Sequence, residues 1–390
     1  MYRFLNRFAC AAALLFAPAL AMAQQPSTTS KPVTLKASDG IVLKATYFSP
    51  GRPGPGIVLL HQCNRERGSW TELATQAAAR GYHVIALDYR GFGESGGDRF
   101  EDFQEQQPII AGKWPGDVDA AFDWLVAQEG VDKNRIAAAG ASCGVNQSLL
   151  LARRHPEVKT VVLLSGNATS EAREYLRQTP GLSVFGSASV DDGNAVAGMK
   201  WILGWSPNKD NKFVEYQKAG HGTDMFAVEK GLQPAILDWF DAKLRTAPAT
   251  LAKPSMPPAP TPVIEFWTAA TEPGGMVRAR RIFDEWRKKD PNMMLFPEGE
   301  ANVHGYSLLQ AGNTKDAIAM FQMNVDAYPT SANTYDSLAD AQLAAGNRDE
   351  ALRLAQKALE VLPSDTNAPP EFKQLVRESA EKKIQELKKK

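Results

Sequence analysis

The chain has 390 residues, 44% hydrophobic and 23% charged, which is room for two domains with ordinary cores and excludes wholesale disorder. Its 44 basic and 44 acidic side chains cancel, so the charge balance carries no signature of a nucleic-acid partner or an anionic surface.

Residues 1–23 read as a secretion signal. Arg3 and Arg7 make a positive start, residues 8–20 are an apolar run short of a bilayer span, and Ala21-Met22-Ala23 is the small-x-small pattern of signal peptidase. Cleavage after Ala23 is expected, with the mature chain periplasmic or secreted and not held at a membrane. Cys10 leaves with the signal. Cys63 and Cys143 are then the only cysteines and are free to pair in an oxidising compartment.

Residues 32–245 alternate short apolar runs with helical stretches. "VTLKASDGIVLKATYF" reads as a hairpin turning at Asp39-Gly40. The strand "GIVLLH" (56–61), the amphipathic helix "WTELATQAAARG", the strand "YHVIALD" (82–88) and the helix "DVDAAFDWLVAQEG" follow. Next come "RIAAAGA" as strand, "VNQSLLLARRH" as helix, "KTVVLLSG" and "GLSVFGSAS" as strands, and "GNAVAGMKWIL" as helix. The series ends with "NKFVEYQ" as strand and "LQPAILDWFDAKL" as helix. This alternation predicts an α/β domain whose mostly parallel sheet is covered by helices on both faces, with ligands beyond the carboxyl ends of the strands.

Residues 246–262 hold six prolines and read as an extended linker. Residues 263–390 read as all helical and repetitive. Gly312-Asn313 recurs as Gly346-Asn347, Ala317 as Ala351 and Pro329 as Pro363, each 34 residues on. This segment resembles the tetratricopeptide repeat, a stacked helix-turn-helix unit. On that pattern Gly305, Ala317, Phe321 and Pro329 fill one repeat, and Tyr335, Leu338, Ala339, Ala351, Ala358 and Pro363 the next. Ala279, Phe283 and Pro291 match half of an earlier unit, and the segment from Glu371 on is the capping helix. Such a short solenoid is expected to dock on the first domain, to self-associate or to take a protein partner.

The chemistry-bearing residues cluster at predicted strand ends. Gly140-x-Ser142-x-Gly144 sits at a strand-to-helix junction, where a nucleophile on a sharp turn leaves no space for side chains two residues away. Of five histidines, His83 lies within a strand, His155 ends a helix, His304 belongs to the repeats and His61 precedes the elbow. His221, in "VEYQKAGHGTDMF", follows the last strand. Asp191 and Asp192 follow the strand between Ser142 and His221, and Asp224 is a more remote carboxylate. No metal-ligand spacing appears, and "GFGESGG" lacks the Lys-Ser/Thr of a phosphate loop, so neither metal nor cofactor is expected.

"LLHQCNRERGSW", "LDYRGFGES", "GASCG", "SASVDDG" and "AGHG" occur in the order and spacing of an α/β-hydrolase, and residues 32–245 resemble its dienelactone-hydrolase-like group. The resemblance implies an eight-stranded sheet and acyl-transfer chemistry by a Ser–His–Asp triad. Ser142 would be the nucleophile, His221 the base and Asp191 the acid, preferred over Asp192 because it falls where relatives carry the strand-end aspartate. The oxyanion donors would be the backbone N–H groups of Cys143 and Cys63, with Gln62 as runner-up. Their strands would be neighbours, so the two cysteines are expected within disulfide range. The group's elbow cysteine is Ser142 here, and its glycine after the strand-end histidine is Gln62. Arg65 and Arg67 fall near the site mouth, where they could receive an anionic substrate, with solvated surface charge the preferred reading. The loop from Gly91 to Trp114, with Phe92, Phe100 and Phe103, would wall the acyl pocket. A small or medium acyl substrate, in an ester or related bond, is the expectation. The competing reading, a non-catalytic scaffold with a relic hydrolase domain, is opposed by the intact serine, acid and histidine in order.

Overall fold

The computed structural model describes residues 28–97, 99, 103–251, 261–291, 294–366, 368 and 370–389. The expected signal segment, most of the proline-rich stretch and Phe100 lie outside the described residues. The sheet is built from β1 (Thr29–Lys36), β2 (Val42–Ser49), β3 (Gly54–Leu60), β4 (His83–Asp88), β5 (Val131–Ala141), β6 (Val158–Leu164), β7 (Ser183–Ser189) and β8 (Lys212–Tyr216). Between and after these strands lie α1 (Thr71–Ala79), α2 (Phe103–Gly112), α3 (Trp114–Val126), α4 (Cys143–Arg154), α5 (Ser170–Gln178), α6 (Ala195–Leu203), α7 (Met225–Val228) and α8 (Leu232–Lys243).

Strand order is β1-β2-β4-β3-β5-β6-β7-β8. The β1–β2 and β2–β4 pairs are antiparallel and all others parallel. The central strands β4 and β6 are buried at every position, as strands covered on both faces must be, and their apolar runs are continuous rather than alternating. Alternation instead assigns neighbours to opposite faces. Val58, Leu60, Ile85, Ala138 and Val161 pack toward α3, α4 and α6, while Ile57, Leu59, Val84, Ala137 and Val162 pack toward α1 and α8. The chain winds from β3 toward β4 and then reverses to β5 on the other side of β3. This puts a crevice at the carboxyl ends of β3 and β5, the switch point of an open α/β sheet.

The second half forms helix pairs α9 (Pro262–Thr271) with α10 (Met276–Lys289), α11 (Glu298–Gln310) with α12 (Thr314–Ala327), and α13 (Ala332–Ala344) with α14 (Arg348–Val361), closed by α15 (Pro370–Lys388). α10, which carries Ala279 and Phe283, is preceded by a helix of its own, α9. A Cβ at Gly305 would lie 2.5 Å from the Phe321 ring, which is why that position stays small.

The linker does not hold the halves apart. Ile264, Phe266, Trp267, Phe283 and Phe296 belong to the same buried cluster as the sheet face of β3, β5 and β6. Arg173 of α5, 4% exposed, lies against Trp201, Trp205 and Trp267 and donates to Glu300 of α11 at 3.1 Å. The indole N–H groups of Trp201 and Trp267 both donate to the Leu295 carbonyl, at 3.2 and 3.1 Å.

Candidate active site

Ser142 stands between β5 and α4 with φ 49° and ψ −112°. This left-handed backbone costs a side-chain-bearing residue about 1–3 kcal/mol and persists only where the surroundings enforce it. The enforcement is visible. The Ser142 N–H donates to Leu164 O of β6 at 2.8 Å, and Ser142 O accepts from Val145 N at 3.0 Å. A Cβ at Gly140 would lie 2.0 Å from Gly144 O, one at Gly144 2.4 Å from Leu60 O, and one at Gly166 2.4 Å from Ser142 O. The glycines are required because the elbow is pressed against the ends of both neighbouring strands. They leave Ser142 partly exposed at the top of the sheet.

His221 follows β8 and precedes a short 3-10 turn, Gly222–Asp224. Its Nδ1 lies 2.7 Å from Asp192 Oδ2, with side chains 35% and 18% exposed. An Nδ1–H held by a carboxylate leaves Nε2 as the proton-accepting nitrogen. The acid preferred from sequence, Asp191, is not the histidine's partner. Its carboxylate is captured by the Ser189 hydroxyl and by the N–H groups of Ala219 and Gly220, both at 3.2 Å. Those hydrogen bonds, the Ser189 hydroxyl's foremost, hold its pKa below the usual carboxylate range. One residue of turn beyond β7 therefore separates an aspartate that braces the loop before His221 from one that meets the ring. Asp224 is taken by Arg65, at 2.9 and 3.0 Å. The residues flanking Ser142 and His221 are packed together, since a Cβ on Gly222 would lie 3.2 Å from that of Ala141.

The β3–β5 register pairs Leu60 with Gly140, and each cysteine stands three residues beyond its strand's member of that pair. Cys63 and Cys143 form a disulfide with Cα atoms 5.7 Å apart, inside the distance expected for these two strand ends. Cys143 is the first residue of α4, so its N–H is among those for which the helix has no acceptor. Gln62 and His61 are fully buried. His61 donates from Nδ1 to Gln62 O at 2.8 Å and accepts from Tyr89 N at Nε2, 3.3 Å away. Burial lowers its pKa to about 4, so it is a neutral prop and not a second base.

Two expectations change. Arg67 is not solvated charge: its side chain is 17% exposed and pairs with the buried Asp88 and with Glu94, fastening the loop after β3 to the turn after β4. Phe92 does not line an open acyl pocket. It is 3% exposed and packs on His61 and Trp114 with ring centroids 5.2 and 5.8 Å apart. A groove of about 890 Å³ opens instead beside the disulfide and histidine loops, lined by Asn64, Arg65, Ser69, Thr223 and Phe226 among others. Among the described residues, no group of three or more His, Cys, Asp or Glu side chains is placed to hold a metal, and no helix is long and apolar enough to cross a membrane. Sequence patterning gave two participants other roles, Asp192 as the less preferred acid and Gln62 as the runner-up oxyanion donor, where the structure has the ring's partner and a spacer between loops. The first was visible as one of two adjacent aspartates, the second as a departure from glycine beside the expected oxyanion loop.

Residues 39–221 match the X-Pro dipeptidyl-peptidase (S15) family. An uncharacterized protein of Mycobacterium tuberculosis, Rv2307c, is 32% identical over 132 residues, which cover 33% of this chain and 43% of its own. The alpha/beta hydrolase domain-containing protein WAV2 of Arabidopsis thaliana is 24% identical over 207 residues, 52% of this chain and 58% of its own. The chain thus spans about half the length of these curated relatives. Among solved structures, the dienelactone hydrolase-like promiscuous phosphotriesterase P91 from metagenomic libraries aligns with a TM-score of 0.45 at 18% identity, over 55% of this chain and 98% of its own. The S15 match thus falls on an eight-stranded, mostly parallel sheet with a serine elbow at the end of β5, the arrangement of an α/β-hydrolase fold.

Proposed function

We propose that the protein is an exported serine hydrolase that cleaves an ester or related acyl bond through an acyl-enzyme. The observation that carries the reading is the Asp192–His221 contact at 2.7 Å, on a loop whose Gly222 packs against Ala141, the residue before a serine held at φ 49°. Ser142 Oγ attacks the substrate carbonyl while His221 Nε2 takes its proton. Asp192 fixes the tautomer and stabilises the imidazolium. The backbone N–H groups of Cys143 and Cys63 hold the developing oxyanion. His221 then protonates the leaving group. Water, deprotonated by the same nitrogen, releases the acyl group and restores Ser142.

Export rests on the signal-like residues 1–23, and the Cys63–Cys143 disulfide suits an oxidising compartment. The 34-residue spacing and the small, aromatic and proline positions support reading α11–α14 as tetratricopeptide repeats. The S15 match adds peptide and aminoacyl amide bonds to the esters, thioesters and lactones to be tried. The test is turnover of such a panel by the full chain beside Ser142→Ala. Turnover lost in Ser142→Ala is the expected result, and turnover equal in both would end the reading.

A further inference from the structure

Gln62 is fully buried where the resembling group carries glycine, and a buried primary amide is costly unless its donors and acceptor are met. Its partners are spread over two loops. Oε1 accepts from Thr223 N at 2.8 Å and from Thr223 Oγ1 at 3.0 Å. Nε2 donates to Asn64 Oδ1 at 2.9 Å and reaches the His221 carbonyl at 3.5 Å. Opposite it, Gly222 has φ +59°, and a Cβ there would lie 2.2 Å from Gln62 Oε1. The backbone on both sides of Gly222 is thus gripped by one side chain that enters from the loop after β3.

The grip matters for His221. The Asp192 contact fixes the ring's tautomer and tethers one nitrogen, but a ring held at one point can still swing unless the backbone beneath it is also fixed. Gln62 supplies that second constraint. Its own backbone leads directly into Cys63, so it also sets the spacing between the oxyanion side of the site and the base. We infer that Gln62 is a positioning residue: a strut between the loop after β3 and the His221 loop, which holds the imidazole over the elbow. Its kinetic consequence rests on the proposed serine mechanism; the strut itself does not.

Gln62→Met keeps the length of the side chain and removes its hydrogen bonds. The expected kcat falls about 10- to 100-fold while KM moves less than about threefold, because the misplacement is felt in the transition state. In proton NMR of the full chain, the downfield Nδ1–H resonance of His221, assigned by its absence in His221→Gln, broadens or disappears. Gln62→Glu keeps an acceptor for Thr223 but sets a carboxylate against Asn64 Oδ1 and the His221 carbonyl, and it does not restore kcat. Should Gln62→Met fail to fold by circular dichroism, Thr223→Val tests the strut from its other end. It is expected to lower kcat by several-fold and to broaden the same resonance. A wild-type resonance with wild-type kcat, or a loss confined to KM or to thermal stability, overturns the inference. If the wild-type chain neither turns over substrate nor labels at Ser142, the serine-hydrolase reading falls, and the resonance alone decides the strut.

Discussion

Asp192→Asn should lower kcat by about four orders of magnitude, since an amide in place of the carboxylate favours the wrong imidazole tautomer. Asp191→Asn should lower it far less, because that side chain braces Ala219 and Gly220 and does not touch the ring. Steady-state kinetics of the two variants on one substrate separate the roles. The serine and histidine were legible in the sequence because one lies in a glycine-bounded elbow and the other follows the last strand. The choice of aspartate was not. It depends on which carboxylate the Ser189 hydroxyl and two backbone N–H groups claim, and these lie across β7 and the β8 loop. Gln62 was illegible for a similar reason, since its partners at Thr223 are 161 residues away. His61 gives a pH prediction. Its pKa is about 4 in the fold against 6.5 for the free side chain, so the unfolded chain takes up the proton first as pH falls. The stabilisation by its neutral ring is complete above pH 6.5 and is lost as pH drops toward about 4. Urea unfolding at pH 7 and pH 4.5 should show the wild type losing on the order of 2–3 kcal/mol more than His61→Gln between the two.

At the scale of elements, the candidate site is a consequence of strand register. Pairing Leu60 with Gly140 puts the loop after β3 and the elbow after β5 side by side. The disulfide closes them across a sequence separation of 80. Replacing both cysteines with serine should cost on the order of 2–4 kcal/mol in urea unfolding under oxidising conditions. Reductant should destabilise the wild type and leave the double variant unchanged. The alternation of strands and helices was readable along the chain because parallel strands give short apolar runs and their helices give 3.6-residue stripes. The loops were less readable. Phe92 and Arg67 sit in segments without periodicity, and only the fold shows one packed on His61 and the other clamped to Asp88.

At the scale of the molecule, the helical half packs into the core of the sheet-bearing half. Docking on the first domain was one of the expectations for the solenoid, and Arg173, three tryptophans and Glu300 join the halves through a shared buried cluster. Burial lowers the pKa of Arg173 and raises that of Glu300, and in each case the partner's charge and hydrogen bond oppose the shift. Glu300→Ala should therefore destabilise the chain by on the order of 3 kcal/mol, by leaving a buried guanidinium unpaired. Pairing Arg173→Met with Glu300→Leu should recover most of that loss in the same denaturation assay. These contacts have no sequence signature, because they come from single residues in α5, α6, the turn after α6, α9 and α11. Since α6 begins three residues after Asp192, they also anchor the helix that follows the proposed acid. The central claim remains the nucleophile. Treatment of the folded full chain with a fluorophosphonate probe, followed by peptide mapping, should give one labelled peptide containing Ser142 and no label in Ser142→Ala. A folded wild-type chain that stays unlabelled, or carries the label on another residue, would contradict the account.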